Sequence, residues 1–178
     1  MAEIKGRFIT LTGTLMSLFP RKLDQADTLL MAKCGKHWNE LDPEGWYDTS
    51  SWDAFMDAYA KASVAGERAL VALGRNIYPA IKQAGGLPRQ LQAPLDCIRY
   101  EAEDFLASHR GTDVKPRKFI KAVEHDVVVE APAPGYNSRL YEGVFLGILE
   151  LCGATTGKVE QTKRQEKGDP TSEFHIVW

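Results

Sequence analysis

The chain is short of the residues that usually announce chemistry. It has three cysteines, Cys34, Cys97 and Cys152. They are odd in number and widely spaced, so they form neither a CxxC site nor an obvious disulfide framework, and a reducing cytoplasm is the expected home. The histidines His37, His109, His125 and His175 show no metal-ligand spacing. No apolar run approaches the ~20 residues of a membrane span, and Glu3, Lys5 and Arg7 break any secretory apolar region. Neither sign of charge dominates: the net charge is −2, which gives no basic field for nucleic acid or anionic membrane. HExxH, GxSxG, a P-loop and GxGxxG are all missing. Glu101, Glu103 and Asp104 cluster, but beside Arg99 on a helix they read as a solvated face. Nothing would bind a nucleotide, so an enzyme is not expected.

What is present is core material. The chain is 44% hydrophobic, with four Trp, six Tyr and seven Phe, enough for a single domain over 1–178. Residues 1–111 read as helices. Ile4, Phe8, Leu11 and Leu15 recur at helical spacing, with Pro20 as the stop. Leu23 to Lys33 follows, closed by Gly35. "ELDPEGWYDTSSW" reads as a loop, with Trp46 and Tyr47 as anchors and Ser50 and Asp53 as a capping box for a helix carrying Phe55, Met56 and Tyr59. Val64 to Ala84 carries the stripe Leu70, Leu73, Ile77, Ile81, and Pro79 predicts a kink or break. Leu91, Leu95, Ile98, Ala102 and Phe105 mark a fifth helix, ended by Gly111.

After Gly111 the period changes. "RKFIKAVE" and "HDVVVEAP" read as strands. "APAPG" is a stiff connector, Ser138 to Cys152 a helix, and "KVEQTKRQ" with "SEFHIVW" a closing hairpin. Helices first, then strands around a helix, predict an α+β fold with an antiparallel sheet covered on one face over 112–178. Gly143 and Gly147, one turn apart, each cost about 1 kcal/mol relative to Ala. They imply either close helix-on-sheet packing or room for a ligand.

The order and spacing of "IKGRFITLTGTLMSLF", "LVALGRNIYPAI", "PRKFIKAV" and "LYEGVFLGILE" resemble the H-NOX family of haem-based gas sensors. The tail "KGDPTSEFHIVW" is similar to the related four-vinyl-reductase ligand domains, which share the fold with a Golgi-transport ligand-binding family. The resemblance implies a haem held by a proximal histidine and a Tyr-x-Ser-x-Arg clamp. Here the histidine's place falls at Ala102 or Glu103. The nearest imidazole, His109, lies ~10 Å further along if the helix continues. Tyr136 and Ser138 match the clamp, but Leu140 stands where its arginine should, and Arg139 comes one residue early. The zinc cysteines of some vinyl-reductase relatives are replaced by Arg164 and Ser172, so no metal site is expected.

These departures predict an H-NOX-like sensor or adaptor without the family's haem ligation and with no cofactor. The alternative is haem held unconventionally by His109, and a third reading is a ligand-free interaction module. A small apolar or amphipathic ligand would lie between the helical part and the sheet. Its expected neighbours on the helical side are Phe8, Leu73, Ile77, Ile81, Ala102 and Phe105. Pro116, Tyr136, Ser138 and Arg139 would add the mouth, with Arg139 pointing to it, and Val144, Gly147 and Ile148 the last helix. Trp178 ends the final strand, leaving no room for an output domain, so the signal is expected to pass to a separate protein.

Overall fold

The first apolar residues form a strand, not the start of a helix. In the computed structural model, which describes residues 1–178, β1 (Ala2–Lys5) is the centre of a small antiparallel sheet between β2 (Trp46–Asp48) and β3 (His109–Gly111). Ile4 is fully buried there. Helix α1 (Gly6–Met16) begins directly after β1, and its first two N–H groups donate to the carbonyls of Gly45 and Pro43, both at 2.9 Å. The stretch expected as a loop therefore supplies both a strand and a cap.

Pro20 opens α2 (Pro20–Cys34) rather than stopping α1, because its missing N–H costs nothing in a first helical turn. Gly35 closes α2 with φ 74°. Helix α3 (Thr49–Lys61) is capped by Asp48, whose carboxylate accepts from the Ser50 N–H at 2.7 Å, two residues earlier than the expected box. The next stretch breaks into α4 (Arg68–Arg75) and α5 (Ile77–Gln83) at Asn76. Pro79 explains the break, since it has no N–H for the carbonyl four residues back. Helix α6 (Pro94–Ser108) stops before β3, three residues short of Gly111.

The second sheet holds β4 (Lys118–Val123), β5 (Asp126–Glu130), β6 (Lys158–Lys163) and β7 (Glu173–Val177) in the order β4-β5-β7-β6, all antiparallel. Val127 pairs with Ile176 and Val129 with Phe174, and these four side chains form its buried face. Alternation in "HDVVVEAP" and "SEFHIVW" thus places one apolar face inward. Helix α7 (Arg139–Leu151) packs over this sheet and is buried on nearly every side.

Its other side meets α4 at backbone contact. A Cβ on Gly143 would lie 2.0 Å from the Val71 carbonyl oxygen, and one on Gly147 2.3 Å from that of Arg75. Gly74 of α4 answers, 2.1 Å from the Leu140 oxygen. The glycines serve helix-on-helix contact, not helix-on-sheet packing, and leave no ligand space on that face. One apolar cluster runs from Ile4 to Ile176 through both parts of this α+β fold. No helix is long and apolar enough to cross a membrane.

Candidate functional site

Where α6, α7 and the start of β4 converge, the interior turns polar. Glu101 projects from α6 and Arg117 enters just before β4, with side chains 5% and 0% exposed. The guanidinium donates to Glu101 through Nη2 at 2.7 Å and Nε at 3.3 Å, and through Nη1 to the Pro132 carbonyl at 3.1 Å. Two aromatic rings sandwich it, Phe105 at 3.7 Å and Tyr141 at 4.1 Å from its central carbon. Burial works against the charge, but Glu101, with Tyr141, outweighs it and holds the arginine above its ordinary range. This is a fork-to-fork ion pair in which each guanidinium nitrogen has an acceptor, sealed from water.

Beside it runs a chain of aromatic donors. Nδ1 of His109 lies 3.0 Å from the Phe105 carbonyl oxygen, and Nε2 lies 3.1 Å from the Tyr136 hydroxyl. A carbonyl only accepts, so Nδ1 carries the proton and Nε2 accepts from Tyr136. Tyr136 must then accept from Tyr141, whose hydroxyl it touches. Burial, with a smaller push from Arg117, drives the His109 pKa down to about 3, against the pull of the Phe105 carbonyl. The imidazole is therefore neutral and its single lone pair is engaged. Burial likewise pushes the Tyr136 and Tyr141 hydroxyls up. The relay ends on the Phe105 carbonyl and beside the buried Ser108 hydroxyl, which lies 3.2 Å from Nδ1 and itself donates to the Asp104 carbonyl at 2.6 Å.

The start of α7 is also occupied. The Ser138 N–H and hydroxyl both donate to Glu166, the hydroxyl at 2.9 Å, and Gln161 donates to the same hydroxyl oxygen at 2.6 Å. The Asn137 N–H donates to Asp53 at 3.1 Å. The anion at this positive helix end is thus a carboxylate of the chain itself. Arg139, expected at the cavity mouth, pairs with Glu142 one turn on and does not join Tyr136. Its place as the first α7 residue turns its side chain toward i+3.

A cavity of about 30 Å³ remains in this interior, room for roughly one water. Phe8, Ile77, Phe105, Tyr136 and Val144 line it, together with Glu101, His109 and Tyr141. The other expected ligand neighbours lie elsewhere. Leu73 lines a separate groove against Phe19 and Tyr59. Ile81 lines a groove of about 340 Å³ with Phe8, Leu11, Leu87 and Tyr100. Pro116 borders an open polar cleft, Ile148 is core, Gly147 faces α4, and Ala102 is only partly buried, outside the cavity lining.

Glu101, Arg117 and Tyr141 are the residues that sequence reasoning missed. The inward stripe of α6 is Ile98, Glu101, Phe105, Ser108, a helical spacing that places a carboxylate on an apolar face. That was the available signal, and it implied a buried cation nearby. Arg164 donates to Glu67 at 3.1 Å, and the Ser172 hydroxyl accepts from the Gln165 N–H at 3.3 Å. No group of three or more His, Cys, Asp or Glu side chains gathers to hold a metal ion.

No protein-family model matches the chain, and no curated protein does either. Solved structures do match in fold. An Fe(II) unliganded H-NOX protein from K. algicida is 14% identical, with a TM-score of 0.66 over 98% of this chain and 96% of that one. A T. Tengcongensis H-NOX point mutant is 18% identical, with a TM-score of 0.64 over 97% and 95%. An oxygen-binding H-NOX domain related to soluble guanylate cyclases, solved as its oxygen complex, is 16% identical, with a TM-score of 0.66 over 97% and 93%. The fold of this chain is H-NOX-like.

Proposed function

We propose that the chain is a haem-independent, non-enzymatic sensor or adaptor domain on an H-NOX-like fold. It passes its signal to a separate protein and works in a reducing compartment such as the cytoplasm. The observation that carries this reading is the Glu101–Arg117 pair clamped between Phe105 and Tyr141.

Haem does not fit these residues. Pockets for sizeable ligands run to roughly 300–1,000 Å³, against about 30 Å³ in this interior. His109, the one imidazole there, has its only lone pair on the Tyr136 hydroxyl, so ligating iron would require that bond to break. The Ser138 groups that could meet a propionate hold Glu166 instead. Each would have to be displaced, and an ion pair opened in a dry interior leaves a buried charge unpaired. The filled interior favours a domain that works through its surface. The domain related to soluble guanylate cyclases that shares this fold binds oxygen; this chain keeps the scaffold and changes what fills it.

A second reading has its own support. The groove beside Phe8, Leu11, Ile81 and Leu87, about 340 Å³ with Arg7 and Asp104 at its rim, has the size and lining for a small apolar or amphipathic ligand. Uptake of a hydrophobic fluorophore that Ile81→Asp abolishes while leaving the fold intact would favour it. The test of the main reading is the absorbance of the chain purified from cells supplied with haem precursor. A preparation with no Soret band agrees; a coloured one with stoichiometric haem refutes it.

A further inference from the structure

Two of the widely spaced cysteines meet in space. Cys97 lies in the first turn of α6 and Cys152 directly after α7. They are 55 residues apart in the chain, and their sulfurs lie 3.3 Å apart. Both are free thiols. Cys97 is buried at 2% exposure, while Cys152 is partly open to solvent. A disulfide needs about 2.05 Å between sulfurs, so ~1.3 Å of approach completes the bond. The surroundings favour attack by the accessible partner. Contact with Cys97 holds the Cys152 thiol below its ordinary range, helped by the positive charge of Lys82. The same contact, then burial, pushes the Cys97 thiol up.

We propose that Cys97 and Cys152 form a reversible dithiol–disulfide site, oxidised by a hydroperoxide, that staples α6 to the end of α7. The Cys152 thiolate attacks the peroxide's terminal oxygen and the O–O bond breaks. This gives a sulfenic acid on Cys152 and releases the alcohol, or water from hydrogen peroxide. The Cys97 sulfur then attacks Cys152, forming the S–S bond. Its proton leaves with the hydroxyl as water. Two thiols lose two hydrogens in all, and the peroxide is reduced. Two dithiol-reductant hydrogens reverse the change. The bond would fix the two helices that supply Glu101 and Tyr141 to the buried cluster. The site stands on its own geometry; if the sensor reading also holds, it gives that sensor an input requiring no cofactor. Cys34 of α2, whose sulfur contacts the Lys36 carbonyl oxygen at 3.4 Å, is an internal control.

The test is a brief exposure of the full chain to hydrogen peroxide at low concentration, followed by alkylation and a non-reducing peptide map. The expected result is a Cys97–Cys152 linked peptide pair, Cys34 still alkylated, and full reversal by dithiothreitol. Once Cys152 is sulfenylated, closure should outpace its capture by added dimedone in the wild-type chain by ~10-fold or more, because the second thiol is already in place. The Cys97→Ser chain should trap dimedone on Cys152, and the Cys152→Ser chain should trap none on Cys97. Three free thiols after extended oxidation, or crosslinks passing through Cys34, would overturn the proposal. Dimedone on Cys97 instead of Cys152 would overturn the order of attack. The wild-type map needs no variant, so poor folding of either serine chain does not protect the idea.

Discussion

Replacing Arg117 with Met tests whether the interior is closed by an ion pair rather than by apolar packing alone. Methionine keeps a long unbranched stem between the Phe105 and Tyr141 rings but removes all the guanidinium donors. Glu101, with its side chain 5% exposed, then keeps a carboxylate with no cation to meet it. The Pro132 carbonyl also loses its donor. Breaking a buried pair on one side costs ~3–5 kcal/mol. At ~2–4 °C per kcal/mol for a chain of this size, the thermal midpoint should fall by roughly 6–20 °C. Glu101→Leu should cost about as much, since it strands the guanidinium. The double variant Glu101→Leu/Arg117→Met removes both charges and leaves mainly the unpaired carbonyl, a loss of ~1–3 kcal/mol. Urea unfolding followed by circular dichroism, with equal slopes required across the set, gives the four free energies of the cycle. A cost below ~1 kcal/mol for Arg117→Met, or a double variant as unstable as the two singles summed, would refute the reasoning.

The remaining expectations are simpler. Gly147→Leu should destabilise the chain by more than the ~1–3 kcal/mol of ordinary overpacking, because the Arg75 carbonyl oxygen lies 2.3 Å from the new Cβ; normal stability of that variant in urea would contradict the α4–α7 contact. His109 should make stability fall as the solution is acidified. Its folded pKa of about 3 lies below the 6.5 of the free side chain, so the unfolded chain binds the extra proton between those values. The stabilisation is complete above about 6.5 and is lost as pH falls toward about 3, with a slope of up to ~1.4 kcal/mol per unit. Between pH 6.5 and about 5, above most carboxylate titration, His109→Gln should flatten this slope; an unchanged slope would mean another group carries it.

The fold was legible where pattern and local chemistry agree. Strands alternating around Val127 and Phe174, the Gly35 cap and the break near Pro79 all follow from short-range rules. Ile4 misled because its helical spacing to Phe8 is an accident of a strand running straight into a helix. β1 is recognisable only through its partners near Trp46 and His109, distant in sequence. The candidate site was half legible. Phe8, Ile77, Phe105, Tyr136 and Val144 could be placed from stripes and resemblance. Glu101 carries the same helical spacing to Ile98 and Phe105, but Arg99 and Glu103 beside it suggest a solvated face, and its partner is Arg117 on another element. Arg139 misled for the opposite reason. Its proximity to Tyr136 in sequence counts for less than Glu142, one turn along the same helix. Cys97 and Cys152 show the same limit, since only the packing of α6 on α7 brings them together.

In the proposed function the chain's own side chains take the space a haem would need. The most direct measurement is a titration of purified protein with haemin, read in the Soret region and repeated on His109→Ala. The expected result is a weak, broad, non-stoichiometric change that is the same in both proteins. A sharp Soret band that saturates at one haem per chain and disappears in His109→Ala would contradict it.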